Sequence, residues 1–154
     1  MITILIACDH RGFALKEKLK SYLQKKLLFK AKDLGTHSKE SCDYPLLAYD
    51  LAREISKGRY KRGIIICSSG IGNSIVANRL PGVRAALCYN PKAARLSRQH
   101  NNSNVLVLGS AFVNETQAKR ILYVWLNTQF QGGRHLRRLK QIRKIEKEIG
   151  RNKS

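Results

Sequence analysis

The stretch Gly63-Ile-Ile-Ile-Cys67-Ser68-Ser69-Gly70-Ile71-Gly72-Asn73-Ser74-Ile-Val-Ala-Asn78 decides the predicted fold of this chain. The β-branched run before Cys67 is typical of a strand that is buried on both faces. Small residues and glycines then interrupt the apolar run, and the chain can resume as a helix. A strand that turns through Gly and Ser into a helix directs several backbone N–H groups at one point, which favours the binding of an anion.

Cys67 stands at the predicted end of this strand, beside those N–H groups. We expect their field to lower the pKa of the thiol, so that thiolate is available at neutral pH. A base next to N–H donors can remove a proton from carbon and stabilise the oxyanion that results. The alternative is that Cys67 is a small buried hydrophobic residue that ends a strand.

Strands and helices alternate on both sides of the central stretch. Apolar runs predict strands at 2–7, 29–34, 63–67, 82–87 and 104–108. Helical spacing predicts helices at 13–27, 46–57, after Gly72, at 91–98, from Asn114 onward and at 134–149. We therefore expect one domain, residues 1–154, with a three-layer α/β/α Rossmann-like fold, a five-stranded parallel sheet and a basic C-terminal helix and tail at about 134–154.

Polar residues cluster where these strands end. Asp9 and His10 follow the first strand, Tyr44 follows the loop after the second, and Cys67–Gly72 follow the third. In a parallel sheet these positions share the carboxyl edge, where such folds bind ligands. His100-Asn101 instead precedes the fifth strand and belongs at the opposite edge. It is therefore either structural or part of a neighbouring subunit's site.

The chain is strongly basic, with 30 Lys and Arg against 10 Asp and Glu and a net charge of +20. Such a charge is typical of nucleic-acid binding proteins. The basic residues are spread along the chain, however, and no zinc finger, KH loop or RRM signature is present. We expect nucleic acid to bind at most nonspecifically, and anionic metabolites to be attracted.

The cysteines and the N-terminus favour a cytoplasmic protein. The four cysteines, at 8, 42, 67 and 88, form no C-x-x-C pair and no zinc-ligand spacing. The apolar N-terminal run reaches Asp9 too soon for a signal peptide or a membrane span. We expect reduced thiols and no contact with a membrane.

Seven motifs in order carry a resemblance to a known family. The motifs are Ala7-Cys8-Asp9-His10-x-Gly12, Asp43-Tyr44-Pro45, Gly63 to Gly72, Pro81-Gly82-Val-Arg84-Ala-Ala, His100-Asn101, Asn104-Val-Leu-Val-Leu-Gly109 and Gly132-Gly133-Arg134-His135. With these motifs the chain resembles the type B ribose-5-phosphate isomerases, a family that includes galactose-6-phosphate and allose-6-phosphate isomerases. The match runs from residue 2 to about 146.

The resemblance implies an aldose–ketose isomerase that interconverts ribose 5-phosphate and ribulose 5-phosphate through an enediolate, without metal or organic cofactor. It also implies a homodimer, possibly a tetramer, with sites shared between subunits and the C-terminal helix packed on the partner. The roles it implies are these: Cys67 as the base, His100 in ring opening, Asp9 in proton transfer at the sugar oxygens, Ser68, Ser69, Gly70, Ile71 and Gly72 around the enediolate with Ser69 catalytic, Asn101 on a hydroxyl, Tyr44 at the substrate, and His10, Arg134 and Arg138 on the phosphate.

Each role has a structural alternative. Asp9 could cap a helix N-terminus, and His100-Asn101 could cap a helix C-terminus. Tyr44 could be a packing aromatic. Arg134 and Arg138 are four residues apart, so on a helix they share one face, which could hold a phosphate or be ordinary solvated surface.

Three positions depart from the family pattern. Ser68-Ser69 stands where members commonly have Gly-Thr, and Leu108-Gly109-Ser110-Ala111 lacks the arginine that usually follows and helps to bind phosphate. Arg11 stands where a small residue is more usual, and it could supply the missing charge. Two other functions stay open: an isomerase of a six-carbon sugar phosphate, and a non-catalytic protein that binds sugar phosphate or nucleic acid.

Overall fold

The computed structural model describes residues 2–151, and Met1 and the last three residues of the predicted tail lie outside that range. Five strands alternate with six helices in this part of the chain. In chain order the elements are β1 (Thr3–Cys8), α1 (Phe13–Lys25), β2 (Lys30–Asp33), α2 (Tyr44–Ser56), β3 (Arg62–Cys67), α3 (Ile71–Ala77), β4 (Ala85–Leu87), α4 (Pro91–Asn101), β5 (Val105–Gly109), α5 (Glu115–Asn127) and α6 (Gly133–Arg151).

The strands form one parallel sheet in the order β2-β1-β3-β5-β4. The register pairs Cys8 with Ile66 and Cys67 with Gly109, so β1, β3 and β5 end at nearly the same level. The predicted five-stranded parallel α/β fold is confirmed. Polar groups that follow these strands are gathered at one edge.

Helices cover both faces of the sheet, and alternate strand residues face opposite layers. Ile64 and Ile66 pack with α1, α4 and α5 in one core cluster. Ile65 packs with α2 and α3 in the other. By this alternation Cys67 points to the same face as Ile65, toward α3.

Local signals set the helix ends. Pro45 lies in the first turn of α2, and Gly58, with φ +72°, follows its end. The Asn114 side chain caps α5, where it forms a reciprocal capping box with Gln117. These ends agree with the sequence prediction to within two residues.

Two predicted boundaries were wrong. β4 begins at Ala85 rather than at Gly82, because Gly82 has φ +75° and Val83 N–H bonds back to the Leu80 carbonyl in a turn. α4 runs on to Asn101 instead of ending at Arg98, and Asn102 with φ +45° is its C-cap. His100 and Asn101 therefore lie in the last turn of α4 rather than after it.

Helix α6 carries an exposed apolar stripe of Leu136, Ile142, Ile145 and Ile149. Its contact with the rest of the chain includes Glu146, whose carboxylate accepts a hydrogen bond from Gly82 N–H at 3.2 Å. Packing of α6 on a partner subunit stays a prediction. Within residues 2–151, no helix has both the length and the apolar character that a membrane span requires.

Candidate active site

The sheet reverses its strand order beside β1, because β2 is added on one side of it and β3 on the other. Parallel α/β sheets bind ligands in the crevice at the carboxyl ends of such strands. Asp9 follows β1 and Cys67 ends β3 at this point. The two strand ends are tied together by a hydrogen bond from Asp9 N–H to the Ile66 carbonyl at 3.2 Å.

The Cys67 thiol is buried, with 5% of the residue exposed, and its sulfur accepts a hydrogen bond from Gly70 N–H at 3.1 Å. Burial raises the pKa of this thiol above its ordinary value. The negative charge of Asp9 adds to that increase, and the N–H groups of the following loop oppose it. The expectation of a lowered pKa was wrong, because the loss of solvation outweighs the N–H donors. The expected donors themselves are present.

The segment from Ser68 to Gly72, which runs from the turn after β3 into the start of α3, forms a tight cradle around the sulfur. Gly70 has φ +83°, and a Cβ there would lie 2.5 Å from Leu87 Cδ1, so only glycine fits. The Ser69 hydroxyl accepts a hydrogen bond from Ile71 N–H at 3.1 Å, and Ser68 is exposed. The backbone N–H groups that oppose the increase in the pKa of Cys67 are those of Gly70, Asn73 and Ser69, so they lie in the turn and in the first turn of α3.

Asp9 holds the turn between β1 and α1. Its Oδ1 accepts hydrogen bonds from Arg11 N–H at 2.9 Å and Gly12 N–H at 3.0 Å. The N-cap of α1 is Gly12, so Asp9 is not a helix cap in the strict sense. Its Oδ2 accepts no hydrogen bond from any residue of 2–151, which leaves that oxygen open to a ligand.

His10 and Tyr44 lie at the same edge. His10 Nδ1 accepts a hydrogen bond from Cys42 N–H at 3.2 Å, so the proton of the neutral ring resides on Nε2. The Tyr44 ring lies directly on Gly72, where a Cβ would approach its hydroxyl to 2.5 Å. Tyr44 is 37% exposed, so it both packs on the cradle and faces solvent.

The other predicted site residues form a second cluster, at the amino edge of the sheet. The His100 ring stacks on His135 of α6, with centroids 4.2 Å apart and planes 9° from parallel. Arg134 and Arg138 lie on the exposed side of α6 near this pair. Burial, the facing His100 and these two arginines all lower the pKa of His135. Asn101 lines a cavity of about 420 Å³ between α6 and the β4 edge.

The two clusters are separated by the length of the strands. β5 runs alongside β3 from Val105, opposite Gly63, to Gly109, opposite Cys67, which spans about 13 Å. His10 and the arginine pair were expected to hold one phosphate. Within one chain they lie at opposite edges. His100 and Asn101 are not the C-cap of α4, since Asn102 takes that position.

His135 and Tyr89 contact the predicted site, but neither was predicted from the sequence. His135, which stacks on His100, belongs to a motif that the sequence displayed, but nothing in the sequence indicated its partner. The Tyr89 hydroxyl donates a hydrogen bond to the Ser69 carbonyl at 2.9 Å. No pattern in the sequence pairs residues 69 and 89, because the contact depends on how β4 lies beside β5.

The sequence model of the Ribose/Galactose Isomerase family matches residues 4–142. The chain belongs to this family. It is 43% identical over 146 residues to ribose-5-phosphate isomerase B of Escherichia coli, covering 95% of this chain and 97% of that protein. Ribose-5-phosphate isomerase B of Clostridium thermocellum superposes with a TM-score of 0.93, at 43% identity and over 96% and 99% of the two chains. That of Mycoplasma genitalium with bound ribulose-5-phosphate superposes with a TM-score of 0.91, at 40% identity and over 96% and 97%.

Family membership confirms the resemblance drawn from the motifs. It also confirms the predicted enzyme class, an intramolecular oxidoreductase of the sugar-phosphate aldose–ketose isomerase type. The Rossmann-like fold of the ribose/galactose isomerase family is the one observed here.

Proposed function

We propose that this enzyme interconverts ribose 5-phosphate and ribulose 5-phosphate through an enediolate, with Cys67 as the base. The observation that carries the proposal is the buried sulfur of Cys67, which lies at the β1/β3 crevice and faces the N–H groups of its own loop. A relative with the same fold binds ribulose-5-phosphate, which supports a five-carbon substrate.

Each proposed role follows from the chemistry of the reaction. The hydrogen on the carbon next to a sugar carbonyl is weakly acidic, so the base must be paired with donors that hold the oxyanion. Once formed, a thiolate in a buried site is a stronger base than one in water, because its charge is poorly solvated. The open Oδ2 of Asp9 suits proton transfer at a sugar oxygen. The Ser69 hydroxyl and the cradle N–H groups suit the enediolate.

We propose that the complete site is shared by two subunits of a homodimer. The carboxyl-edge cluster holds the base but lacks the predicted ring-opening histidine and the arginine pair. A two-fold dimer can bring His100, Arg134 and Arg138 of one subunit to the Cys67 edge of the other. His10 and the arginines would then meet on one phosphate, and Asn101 would reach a sugar hydroxyl.

A six-carbon sugar phosphate is the second candidate substrate. The ribose/galactose isomerase family is named for a six-carbon sugar as well as for ribose. Ala111 is short and exposed, which leaves room beside β5 for a longer substrate. Comparison of kcat/KM for ribose 5-phosphate, allose 6-phosphate and galactose 6-phosphate ranks these substrates directly.

Cys67→Ala should lower isomerase activity by at least ~10²-fold, the low end for removal of a general base, while sugar phosphate still binds. Turnover of ribose 5-phosphate and binding by calorimetry measure the two effects. Cys88→Ala is the matched control, because Cys88 is equally buried but lies in the core on the other face of the sheet. Near-normal turnover by Cys67→Ala would exclude Cys67 as the base.

A further inference from the structure

Tyr89 lies just after β4, at the start of the connection to α4. Its ring stacks on Phe112, with centroids 4.9 Å apart and planes 22° from parallel. Its hydroxyl donates a hydrogen bond to the carbonyl of Ser69, 20 positions earlier in the chain, at 2.9 Å. The stack on Phe112 restricts the orientation of the Tyr89 ring and therefore holds its hydroxyl at the Ser69 carbonyl.

This bond is one of three that hold successive carbonyls of the cradle. Ser110 N–H donates to the Cys67 carbonyl at 2.8 Å, and Ala111 N–H donates to the Ser68 carbonyl at 2.9 Å. The Ser69 carbonyl is the third, and its donor is the side chain of Tyr89. The first two donors are backbone groups that remain in any variant. The third can be removed by a single substitution.

The carbonyl of Ser69 and the N–H of Gly70 belong to one peptide unit. That unit is planar and trans, so its C=O and its N–H point in opposite directions. With the carbonyl fixed on Tyr89, the N–H is directed away from β4. It donates to Cys67 Sγ at 3.1 Å. A flexible peptide at Gly70 could otherwise rotate, because glycine has wide conformational freedom.

We propose that Tyr89 is a positioning residue for Cys67: its hydroxyl fixes the Ser69–Gly70 peptide and thereby keeps the Gly70 N–H on the Cys67 sulfur. A donor held on sulfur stabilises the thiolate more than the thiol, because the bond to the charged form is stronger. The inference rests on the proposed function only in taking Cys67 as the base. The hydrogen-bond chain acts on the thiol whatever the enzyme's substrate.

The test compares Tyr89→Phe with the parent enzyme, both in a Cys42→Ala background. Tyr89→Phe keeps the ring on Phe112 and removes only the hydroxyl. The half-exposed Cys42 is removed so that iodoacetamide reports on Cys67, since Cys8 and Cys88 are fully buried. The rate of alkylation between pH 7 and 10.5, with the modified residue identified by mass spectrometry, gives the thiol pKa.

Tyr89→Phe should shift the alkylation profile to higher pH and lower the alkylation rate at pH 8 by about three- to tenfold, as expected for the loss of the one neutral hydrogen bond that holds the Ser69–Gly70 peptide in place. The kcat for ribose 5-phosphate should fall by a similar factor, with a change in KM of less than about twofold, because the proposed role of Tyr89 is to act on Cys67 and not on substrate binding. Tyr123→Phe is the matched control. Tyr123 is an exposed tyrosine of α5 whose hydroxyl has no hydrogen-bond partner in residues 2–151.

An alkylation profile that is the same in Tyr89→Phe and the parent overturns the proposal, whatever the activity. A shifted profile with no isomerase activity in the parent supports the positioning role and contradicts the proposed function instead. Tyr89→Leu, which removes both ring and hydroxyl, should shift the profile at least as far. A folded Tyr89→Leu variant with an unshifted profile also overturns the proposal.

Discussion

At the scale of single residues, the environment of Cys67, the proposed base, is set by atoms that lie far apart in the sequence. Burial and the negative charge of Asp9 raise the pKa of the Cys67 thiol, whereas the hydrogen bond from Gly70 N–H stabilises the thiolate. The backbone N–H groups of Ser110 and Ala111, in the loop after β5, hold the carbonyls of Cys67 and Ser68. Substitutions in the β5 loop therefore act on the cradle even without touching substrate.

Arg11 lies beside the loop that follows β5, where it could supply the positive charge that is missing at Ala111. The Ser110 hydroxyl donates to the Arg11 carbonyl at 3.0 Å, so the turn after β1 lies beside the loop in which Ala111 replaces an expected arginine. Both Arg11 and Ser110 line a cavity of about 360 Å³ at the carboxyl edge. Arg11 is exposed and can swing toward a phosphate there.

Arg11→Ala should raise KM for ribose 5-phosphate by about three- to tenfold, because a charge-assisted contact to phosphate is lost. Ala111→Arg in the same variant should recover part of that loss. Steady-state kinetics at low and moderate salt measure both effects. Lys18→Ala, which removes a neighbouring charge that is paired with Glu115, is the control. If KM stays unchanged in Arg11→Ala, Arg11 is an ordinary surface charge.

At the scale of elements, the contact between α4 and α6 decides where the basic helix lies. The His100 and His135 rings are stacked, and α6 otherwise exposes most of its length. The groups that face His135 are His100 on α4 and Arg134 and Arg138 on α6, all of them positive or able to become so. Protonation of His135 is therefore opposed in the folded chain.

Stability should fall as pH drops below the ordinary histidine pKa of about 6.5. The pKa of His135 is lowered in the folded state, so the unfolded chain binds more protons in that range and is favoured by acid. His135→Phe keeps a ring against His100 and cannot titrate. It should flatten the dependence of Tm on pH between 5 and 7. If Tm depends on pH equally in His135→Phe and in the wild type, His135 is not the source of the acid sensitivity.

At the scale of the whole molecule, the parallel sheet separates the proposed catalytic groups. Cys67 and Asp9 lie at the carboxyl edge, and His100 lies in the last turn of α4, which leads into the amino end of β5. No rotation of a side chain spans the strands between them. A shared site therefore requires a second subunit, and that requirement can be tested by mixing variants.

Cys67→Ala and His100→Ala homodimers should each be nearly inactive. After subunit exchange, a mixture should recover up to about a quarter of wild-type activity, because half of the dimers are hybrids with one intact site of two. Activity before and after exchange, with hybrid formation followed by mass spectrometry, measures the effect. A mixture of Cys67→Ala with Asp9→Ala is the control, and it should stay inactive because both residues lie at the same edge. Proven exchange without recovery would place both residues in one subunit's site or make His100 structural.

Features that depend on local periodicity could be predicted from the amino-acid sequence. The apolar runs located all five strands, and Pro45, Gly58 and Asn114 located helix ends, because capping and turn geometry are set by neighbouring residues. Strand alternation then placed Asp9, His10, Tyr44 and the Cys67 loop at one edge and His100-Asn101 at the other. That division followed from topology rules without any contact being known.

Features that depend on contacts between distant segments of the chain could not be predicted in this way. The sign of the Cys67 pKa shift was mispredicted, because desolvation depends on how many atoms surround the sulfur once the sheet and α3 have packed. The Tyr89–Ser69 hydrogen bond and the His100–His135 stack join residues whose spacing follows no periodic pattern. Such contacts are set by the strand order and by the path of each connection, which a local pattern does not encode.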